Sequence, residues 1–153
     1  SIGGNHLIHA ARRNIDMTVI CANNMIYGMT GGQAASTSPL GATTATTGDG
    51  NPYAPFDLCK LVLGAGAPFV ARHSVTQPKS LIDSVNKSLN SEGFGFIEVL
   101  SPCPTQFGRR NQQESPTEML SALMDQCISQ ETAATLDSET LQNKIITGEF
   151  HHE

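Results

Sequence analysis

The 153-residue sequence contains no tryptophan, and aromatic residues make up only 5% of it. A hydrophobic core must therefore be built mainly from Ile, Leu, Val, Met and Ala. Charged residues are also scarce, because they account for 15% of the chain, whereas about 25% is usual for a soluble domain. So low a charged fraction suggests that partner chains cover part of the surface.

Other absences argue against whole classes of function. No apolar run approaches the ~20 residues that a membrane-spanning helix needs, so we expect no membrane span. The net charge is −5 and the sequence pI is about 5.4, which argues against a nucleic acid partner. The four cysteines form no Cys-x-x-Cys pair, and no secretory segment is visible, which favours a reducing, cytoplasmic location.

Helical and strand patterns alternate along the chain, which predicts an α/β fold with a parallel sheet and helices on both of its faces. We expect helices at residues 3–14, 55–63, 78–89 and from Ser115 onward, and strands at residues 17–21, 68–71 and 96–100. Residues 23–55 show no periodicity, and so long a stretch is usually functional or disordered.

The domain organisation is simple, since the sequence shows no internal repeat and no second domain. Residues 1–129 are expected to form one unit, whereas residues 130–153 are polar and poorly periodic. We expect these last residues to form a tail that packs on a partner subunit. The chain opens on Ser1-Ile2-Gly3-Gly4, and we expect further residues upstream of Ser1.

A run of amides, a hydroxyl and glycines directly follows the first predicted strand, and it reads CANNMIYGMTGGQ (residues 21–33). Oxygen donors at the end of a parallel strand suit a magnesium ion that is shared with phosphates. Glycines let backbone N–H groups approach a pyrophosphate closely. An ordinary turn has the same composition, so the residues alone leave both interpretations open.

Five segments together resemble the thiamine-diphosphate-binding domain of 2-oxoacid:ferredoxin oxidoreductase beta subunits. They are GGNH (residues 3–6), AARRN (10–14), NNMIYGMTGGQ (23–33), PFD (55–57) and SPCPT (101–105). The resemblance is continuous over residues 1–33. It implies a thiamine-diphosphate-binding fold that is incomplete at its N-terminus in this chain.

The resemblance also implies roles for particular residues. Asn24 should ligate Mg²⁺ through its side-chain oxygen, and Ile26 should ligate the same ion through its carbonyl. Tyr27, Thr30 and Gly31 are expected to lie against thiamine diphosphate. No side chain of this chain is expected to act as a general base, because the family places the helping glutamate on the alpha subunit.

Two further features concern the diphosphate. Asn5 and His6 lie at the start of the first helix, where the N-terminus favours an anion, although a polar cluster facing water is an equal alternative. The family's Gly-Asp-Gly motif is absent from the expected place and should precede Ser1. Gly48-Asp49-Gly50 follows Asn24 instead of preceding it and is not preceded by an apolar strand, so a surface turn is predicted there.

Cys103 lies between two prolines, just past a predicted strand. A lone cysteine is most often a buried free thiol, but the resemblance implies that Cys103 is one ligand of a [4Fe–4S] cluster. The three other cysteine ligands are not in this chain. Cys21, Cys59 and Cys127 fall within helix or strand patterns and are predicted to be core residues.

The resemblance implies an enzyme that oxidatively decarboxylates a 2-oxoacid to acyl-CoA and CO2 and passes the electrons to ferredoxin. The loop GMTGGQ (residues 28–33) favours 2-oxoglutarate as the substrate. Implied partners are an alpha subunit, ferredoxin, coenzyme A and the 2-oxoacid, and this chain alone is expected to be inactive. Arg72 and His73 end the predicted strand that follows Gly66 and fit either an anionic ligand such as coenzyme A or a subunit interface.

Two alternatives stay open. The chain could be a non-catalytic fragment or structural subunit that other chains complete, which the absent Gly-Asp-Gly motif favours. It could also belong to a thiamine-dependent decarboxylase or synthase without an iron–sulfur cluster, which Cys103 argues against.

Overall fold

The computed structural model describes residues 3–113 and 115–151, and a five-stranded sheet lies at its centre with the strand order β1-β5-β4-β7-β6. The five strands are β1 (Met17–Asn23), β4 (Phe69–Ser74), β5 (Phe94–Leu100), β6 (Cys127–Ser129) and β7 (Ile145–Phe150). Two short strands, β2 (Ile26–Tyr27) and β3 (Gln33–Ala34), form a separate antiparallel hairpin.

The helices connect and cover these strands. They are α1 (Gly4–Arg12), α2 (Leu58–Gly64), α3 (Pro78–Leu89), a π-helical turn (Pro104–Gly108), α4 (Pro116–Gln126), α5 (Gln130–Ala133) and α6 (Ser138–Leu141). In the described part of the chain, no helix is both long enough and apolar enough to cross a membrane.

Helices cover both faces of the sheet, as predicted. Arg72 of β4 lies opposite Glu98 of β5, and since side chains alternate along a strand, His73 points to the other face. Cys59 of α2 lies 3.6 Å from Glu98 on the first face, whereas Ser84 of α3 lies 2.8 Å from His73 on the second. The parallel α/β arrangement is therefore confirmed for β1, β5 and β4.

The core lies where α1 and α2 pack on the first face of the sheet. Its fully buried members are Ala11, Cys59, Val62, Ala67, Val70, Phe94 and Phe96. The two phenylalanines are the largest of these side chains, so aromatic residues contribute to the core even though the sequence has few of them. Burying one such apolar side chain contributes roughly 1.5–3 kcal/mol.

Three parallel strands end at the same edge of the sheet. Leu100, the last residue of β5, is in register with Asn23 of β1 and with Ser74 of β4. The Ser101 N–H donates to the Asn23 carbonyl at 3.0 Å, which continues the pairing by one residue. The segments that follow β1 and β5 therefore leave the sheet side by side, and this edge is where α/β proteins bind ligands.

The region after residue 129 differs from the predicted irregular tail. It contains two short helices, and β7 joins the sheet by pairing antiparallel with β4 and parallel with β6. The sequence of β7, ITGE flanked by Ile145 and Phe150, breaks the apolar alternation of a strand because Gly148 and Glu149 interrupt it. The packing of this region on a partner subunit stays a prediction.

Several element boundaries also differ from the sequence prediction. Helix α2 does not begin at Pro55, because the Asp57 side chain caps it by accepting the Lys60 N–H at 3.1 Å. Strand β4 extends beyond the predicted end, so Arg72 and His73 lie within it. The Ser115 N-cap is confirmed, but α4 ends before Cys127, which instead begins β6.

Candidate cofactor site at the carboxyl edge of the sheet

Residues 23–28, hereafter the amide turn, leave the end of β1 in a strained conformation. Met25 has a φ of 63°, in the left-handed region, which typically costs 1–3 kcal/mol for such a residue. The Asn23 Oδ1 atom accepts the Met25 N–H at 2.9 Å, and the Ser38 hydroxyl donates to the Met25 carbonyl at 2.6 Å. Hydrogen bonds on both sides of Met25 therefore hold the conformation.

The two predicted magnesium ligands lie within this amide turn. The Asn24 Oδ1 atom accepts the Ile26 N–H at a long 3.3 Å, and the Ile26 carbonyl accepts the Gly28 N–H at 3.0 Å. Each oxygen has a second lone pair, and amide and carbonyl oxygens are donors that Mg²⁺ accepts. The donor set therefore fits a magnesium ion, although two protein oxygens complete only part of its shell.

Further donors would have to come from elsewhere. Among residues 3–113 and 115–151, no group of three or more His, Cys, Asp or Glu side chains is placed to hold a metal ion. The Gly48-Asp49-Gly50 segment forms an exposed turn in which the Gly50 N–H donates to the Thr47 carbonyl. That conformation agrees with the surface turn predicted for it.

The other predicted contacts of thiamine diphosphate lie in the hairpin that follows. Tyr27 in β2 is half-exposed, and Thr30 is exposed at the tip, where its hydroxyl donates to Gln33 Oε1 at 2.7 Å. Gly31 has a φ of 117°, which glycine adopts without strain. Its carbonyl accepts from Arg110 Nη2 at 3.1 Å, so the segment after β5 holds the hairpin in place.

Asn5 and His6 occupy the first turn of α1, and both are exposed. In the described residues, no hydrogen bond joins either side chain to the amide turn. The residues that follow α1 lie at the start of β5, where Asn14 Oδ1 accepts the Phe94 N–H at 2.8 Å, so the N-terminus of α1 points toward the carboxyl edge of the sheet. The N-cap residue Gly3 provides no side-chain cap, and the first backbone N–H groups of α1 are therefore suited to an anion.

Cys103 lies beside the amide turn. A Cβ built on Gly28 would stand 3.1 Å from the Cys103 Sγ atom and 3.6 Å from Asn24 Nδ2. Cys103 is 9% exposed and immediately precedes the π-helical turn. The structure therefore brings together the two segments that were singled out from the sequence, and only a residue without a side chain fits at position 28 without displacing the sulfur.

The environment of Cys103 favours the thiolate. Burial alone raises the pKa of the Cys103 thiol. Hydrogen bonds from the backbone N–H groups of Phe107 and Gln106 act in the opposite direction, and Thr105 adds to them. The net result is a pKa below the ordinary thiol value, and the thiolate is the form that ligates metals.

The other three cysteines have the opposite character. All four cysteines are free thiols, and burial raises the pKa of Cys21, Cys59 and Cys127. Cys59 is fully buried in the core, while Cys21 and Cys127 are half-buried. Their prediction as core residues is therefore confirmed for Cys59 and fits the other two in part.

A buried ion pair behind the amide turn was not predicted from the sequence. Arg72 Nε lies 2.6 Å from Glu98 Oε2 and Arg72 Nη2 lies 2.5 Å from Asp57 Oδ1. The Arg72 guanidinium also stands 5.5 Å from the ring centre of Phe150. Burial lowers the pKa of Arg72, but the attraction and hydrogen bond of Glu98, together with the attraction of Cys59 and Asp57, raise the pKa overall.

The ion pair is connected to the amide turn, since Asn23 Nδ2 donates to Glu98 Oε1 at 2.7 Å. A cavity of about 550 Å³ adjoins the pair and is lined on the turn side by Met25 and Thr37. The sequence does contain a signal for the pair, because Glu98 interrupts the apolar run of β5 and a charge buried in such a strand needs a partner. Within the chain, Arg72 is held by Glu98 and Asp57, and its contact with an anionic ligand or a partner subunit stays a prediction.

Comparison with known proteins identifies the class first. The family model for the thiamine pyrophosphate enzyme, C-terminal TPP binding domain, matches residues 1–99. The chain belongs to this family of thiamine-diphosphate-binding domains. The family match agrees with the parallel sheet.

Two relatives show which members of the family the chain is similar to. The 2-oxoglutarate synthase subunit KorB of Methanothermobacter marburgensis is 51% identical over 150 residues, which are 98% of this chain and 53% of that protein. The 2-oxoglutarate oxidoreductase subunit KorB of Mycobacterium tuberculosis is 43% identical over 68% of this chain and 28% of its own length. The chain thus spans about half the length, or less, of these curated relatives.

A solved structure supports both the family match and the similarity to 2-oxoglutarate oxidoreductase subunits. The 2-oxoglutarate:ferredoxin oxidoreductase of Magnetococcus marinus, with 2-oxoglutarate, coenzyme A and succinyl-CoA bound, superposes with a TM-score of 0.81 at 29% identity. The match covers 100% of this chain and 53% of that one. The resemblance seen in the sequence and the predicted fold are therefore confirmed.

Proposed function

We propose that the chain is the C-terminal part of the beta subunit of a 2-oxoacid:ferredoxin oxidoreductase that acts on 2-oxoglutarate. The reaction would yield an acyl-CoA and CO2, with the electrons passed to ferredoxin. The observation that carries the proposal is the contact between the amide turn and Cys103 at one edge of the sheet. This contact would place a thiamine diphosphate site and an iron–sulfur ligand next to each other.

In this proposal the amide turn holds the cofactor through magnesium. Asn24 offers its Oδ1 atom and Ile26 its carbonyl, and the remaining donors come from an Asp in a Gly-Asp-Gly segment outside these residues, from the diphosphate and from water. Tyr27, Thr30 and Gly31 lie along the cofactor, and Asn5 and His6 stand at the helix end that receives negative charge. Bound thiamine diphosphate would supply the carbanion-stabilising chemistry.

Cys103 is proposed as one of the four ligands of a [4Fe–4S] cluster, with three cysteines supplied from outside the 153 residues. The lowered thiol pKa supports this role, because less free energy is then needed to deprotonate the ligand. The contact of its sulfur with Gly28 supports a short path for electrons between the cofactor and the cluster. The neighbouring Pro102 and Pro104 restrict the backbone on both sides.

Partner subunits are proposed to cover the exposed apolar side chains of the long loop between β1 and α2. The most exposed are Met29, Leu40, Tyr53 and Phe56. An alpha subunit fits this surface, and ferredoxin, coenzyme A and the 2-oxoacid are the other proposed partners. A cytoplasmic location, expected from the cysteine pattern, is part of the same proposal.

The test uses the full-length beta subunit purified with its partner subunits. Cys103→Ser is compared with Cys127→Ser, because both replace a largely hidden thiol by a hydroxyl. We expect Cys103→Ser to lose the broad visible absorption and the electron paramagnetic resonance signal of a [4Fe–4S] cluster, together with ferredoxin reduction. Cys127→Ser should retain all three. An unchanged cluster in Cys103→Ser would refute the assignment of this ligand.

The same preparation separates the alternative functions. If the parent enzyme binds thiamine diphosphate but contains no iron, a decarboxylase or synthase without a cluster is the better description. If it binds neither, the chain is part of a structural subunit. Asn24→Ala should abolish tight binding of thiamine diphosphate in the presence of Mg²⁺ while leaving the cluster signal intact, which tests the cofactor site independently of Cys103.

A further inference from the structure

The conformation of the amide turn is stabilised by side chains that bind no ligand themselves. Met25 carries a positive φ, and the groups that keep it there come from outside the turn or from its first residue. Ser38 reaches the Met25 carbonyl from thirteen residues away. Asn23 binds the Met25 N–H but does not itself present an atom to the proposed magnesium ion. The positions of Asn24 and Ile26 therefore depend on side chains that hold no ligand.

Asn23 is the centre of this support. Its Oδ1 atom accepts both the Met25 N–H and the Thr37 hydroxyl, the latter at 2.8 Å. Its Nδ2 atom donates to Glu98, which is 2% exposed. The Asn23 side chain thus uses both ends of its amide, and the plane of the amide is fixed by partners on a second strand and in the long loop.

Glu98 is in turn fixed by Arg72, which Asp57 at the start of α2 also holds. Buried charges in such a network have little freedom, since each departure leaves an unpaired group in the interior. A continuous set of contacts therefore runs from the helix cap Asp57 to the strained Met25. The set ends at Met25, which lies between the two proposed magnesium donors, Asn24 and Ile26.

We propose that Asn23 is a positioning residue, which couples the amide turn to the buried Arg72–Glu98 ion pair and so sets the strength of thiamine diphosphate and Mg²⁺ binding. This inference rests on the proposed function. Its physical basis is preorganisation: a turn that is already in its binding conformation loses less free energy when the ligand binds. Thr37 and Ser38 contribute to the same preorganisation.

The test is a matched pair of substitutions in the long loop. Thr37→Val removes the hydroxyl that binds Asn23. Thr44→Val removes a more deeply buried hydroxyl, whose partners among the described residues are Thr46 and Thr47. Both replace a hydroxyl by a methyl group of similar volume. Thr37→Ser restores the hydroxyl and is the conservative variant. Full-length protein with its partner subunits is titrated with thiamine diphosphate at several MgCl2 concentrations.

We expect Thr37→Val to raise the Kd for thiamine diphosphate about fivefold, the size of one hydrogen bond. Thr44→Val and Thr37→Ser should stay within about twofold of the parent by the same measure. A purely structural role would instead lower the thermal stability of both valine variants without separating their Kd values. Equal Kd values for Thr37→Val and Thr44→Val, or failure of Thr37→Ser to restore binding, would overturn the inference.

Failure of the inference can be told from failure of the proposed function. If the parent protein binds thiamine diphosphate with Mg²⁺ and the two valine variants bind equally well, only the role of Asn23 is wrong. If the parent protein itself does not bind thiamine diphosphate at any MgCl2 concentration, the proposed function is wrong, and the positioning role is refuted with it.

Discussion

Removal of the Arg72 charge is the sharpest test of the buried ion pair. In Arg72→Met the side chain keeps much of its apolar length, but Glu98 stays buried at 2% exposure without its cation. Breaking a buried pair by removing one partner typically costs ~3–5 kcal/mol, since an uncompensated charge remains. The contact with Phe150 and the bond to Asp57 are lost at the same time, so we expect a value in the upper half of that range.

Lys87→Met is the matched control. Lys87 also pairs with a carboxylate, Glu149, at 2.9 Å, but its side chain is 60% exposed. An exposed ion pair contributes ~0–1 kcal/mol. The two substitutions thus remove the same charge from the same protein, and they differ mainly in the burial of the pair.

The assay is urea denaturation of the full-length protein, with the midpoint and the slope compared between variants. The midpoint should fall far more for Arg72→Met than for Lys87→Met, at an unchanged slope. In the double variant Arg72→Met/Glu98→Leu part of the loss should be recovered, because the unpaired buried charge is gone. Recovery should stay incomplete, because the Asn23 Nδ2 donor then lacks its acceptor. Equal midpoints for the two single variants, or a double variant that is less stable than Arg72→Met, would refute the reasoning.

Two further predictions concern the second face of the sheet. Burial lowers the pKa of His73 below 6.5, although Glu149 opposes the shift, so stability should fall as the pH drops below about 6.5. His73→Gln, whose amide can still donate to Ser84, should flatten that dependence between pH 7.5 and 5.5 in urea denaturation, and an equally steep dependence would contradict it. A Cβ on Gly95 would stand 1.9 Å from Ser88 Oγ, so Gly95→Ala should lower the unfolding free energy by ~1–3 kcal/mol. Ser88→Ala should restore part of it, and thermal unfolding without that recovery would count against the steric cause.

Local patterns were enough to predict the three parallel strands, whereas the two segments of the candidate site were assigned through their resemblance to a known family. The β-branched run that ends at Cys21 marks a buried strand, and the amides and glycines directly after it mark the carboxyl edge of a sheet. Those patterns act over a few residues. The contact between Gly28 and Cys103 follows from them, because the two neighbouring strands end in register.

Features that depend on distant residues were not predictable in the same way. Strand β7 contains Gly148 and Glu149, and its place in the sheet comes from pairing with β4 more than seventy residues earlier. Helix α2 was predicted to begin at Pro55, which suits a first helical position, but the carboxylate of Asp57 provides the actual cap. In both cases a tertiary or capping contact outweighs the local preference.

The buried charges of Glu98 and Arg72 follow from the backbone conformation of Met25. The left-handed conformation of Met25 needs an acceptor for its N–H, and the Oδ1 atom of Asn23 supplies it. The amide that carries this oxygen also carries an Nδ2 donor, which would be unpaired in the interior without Glu98. Glu98 in turn needs Arg72. An apolar residue at position 98 would thus leave the Asn23 Nδ2 donor without an acceptor, even though apolar packing is often as stable as an ion pair.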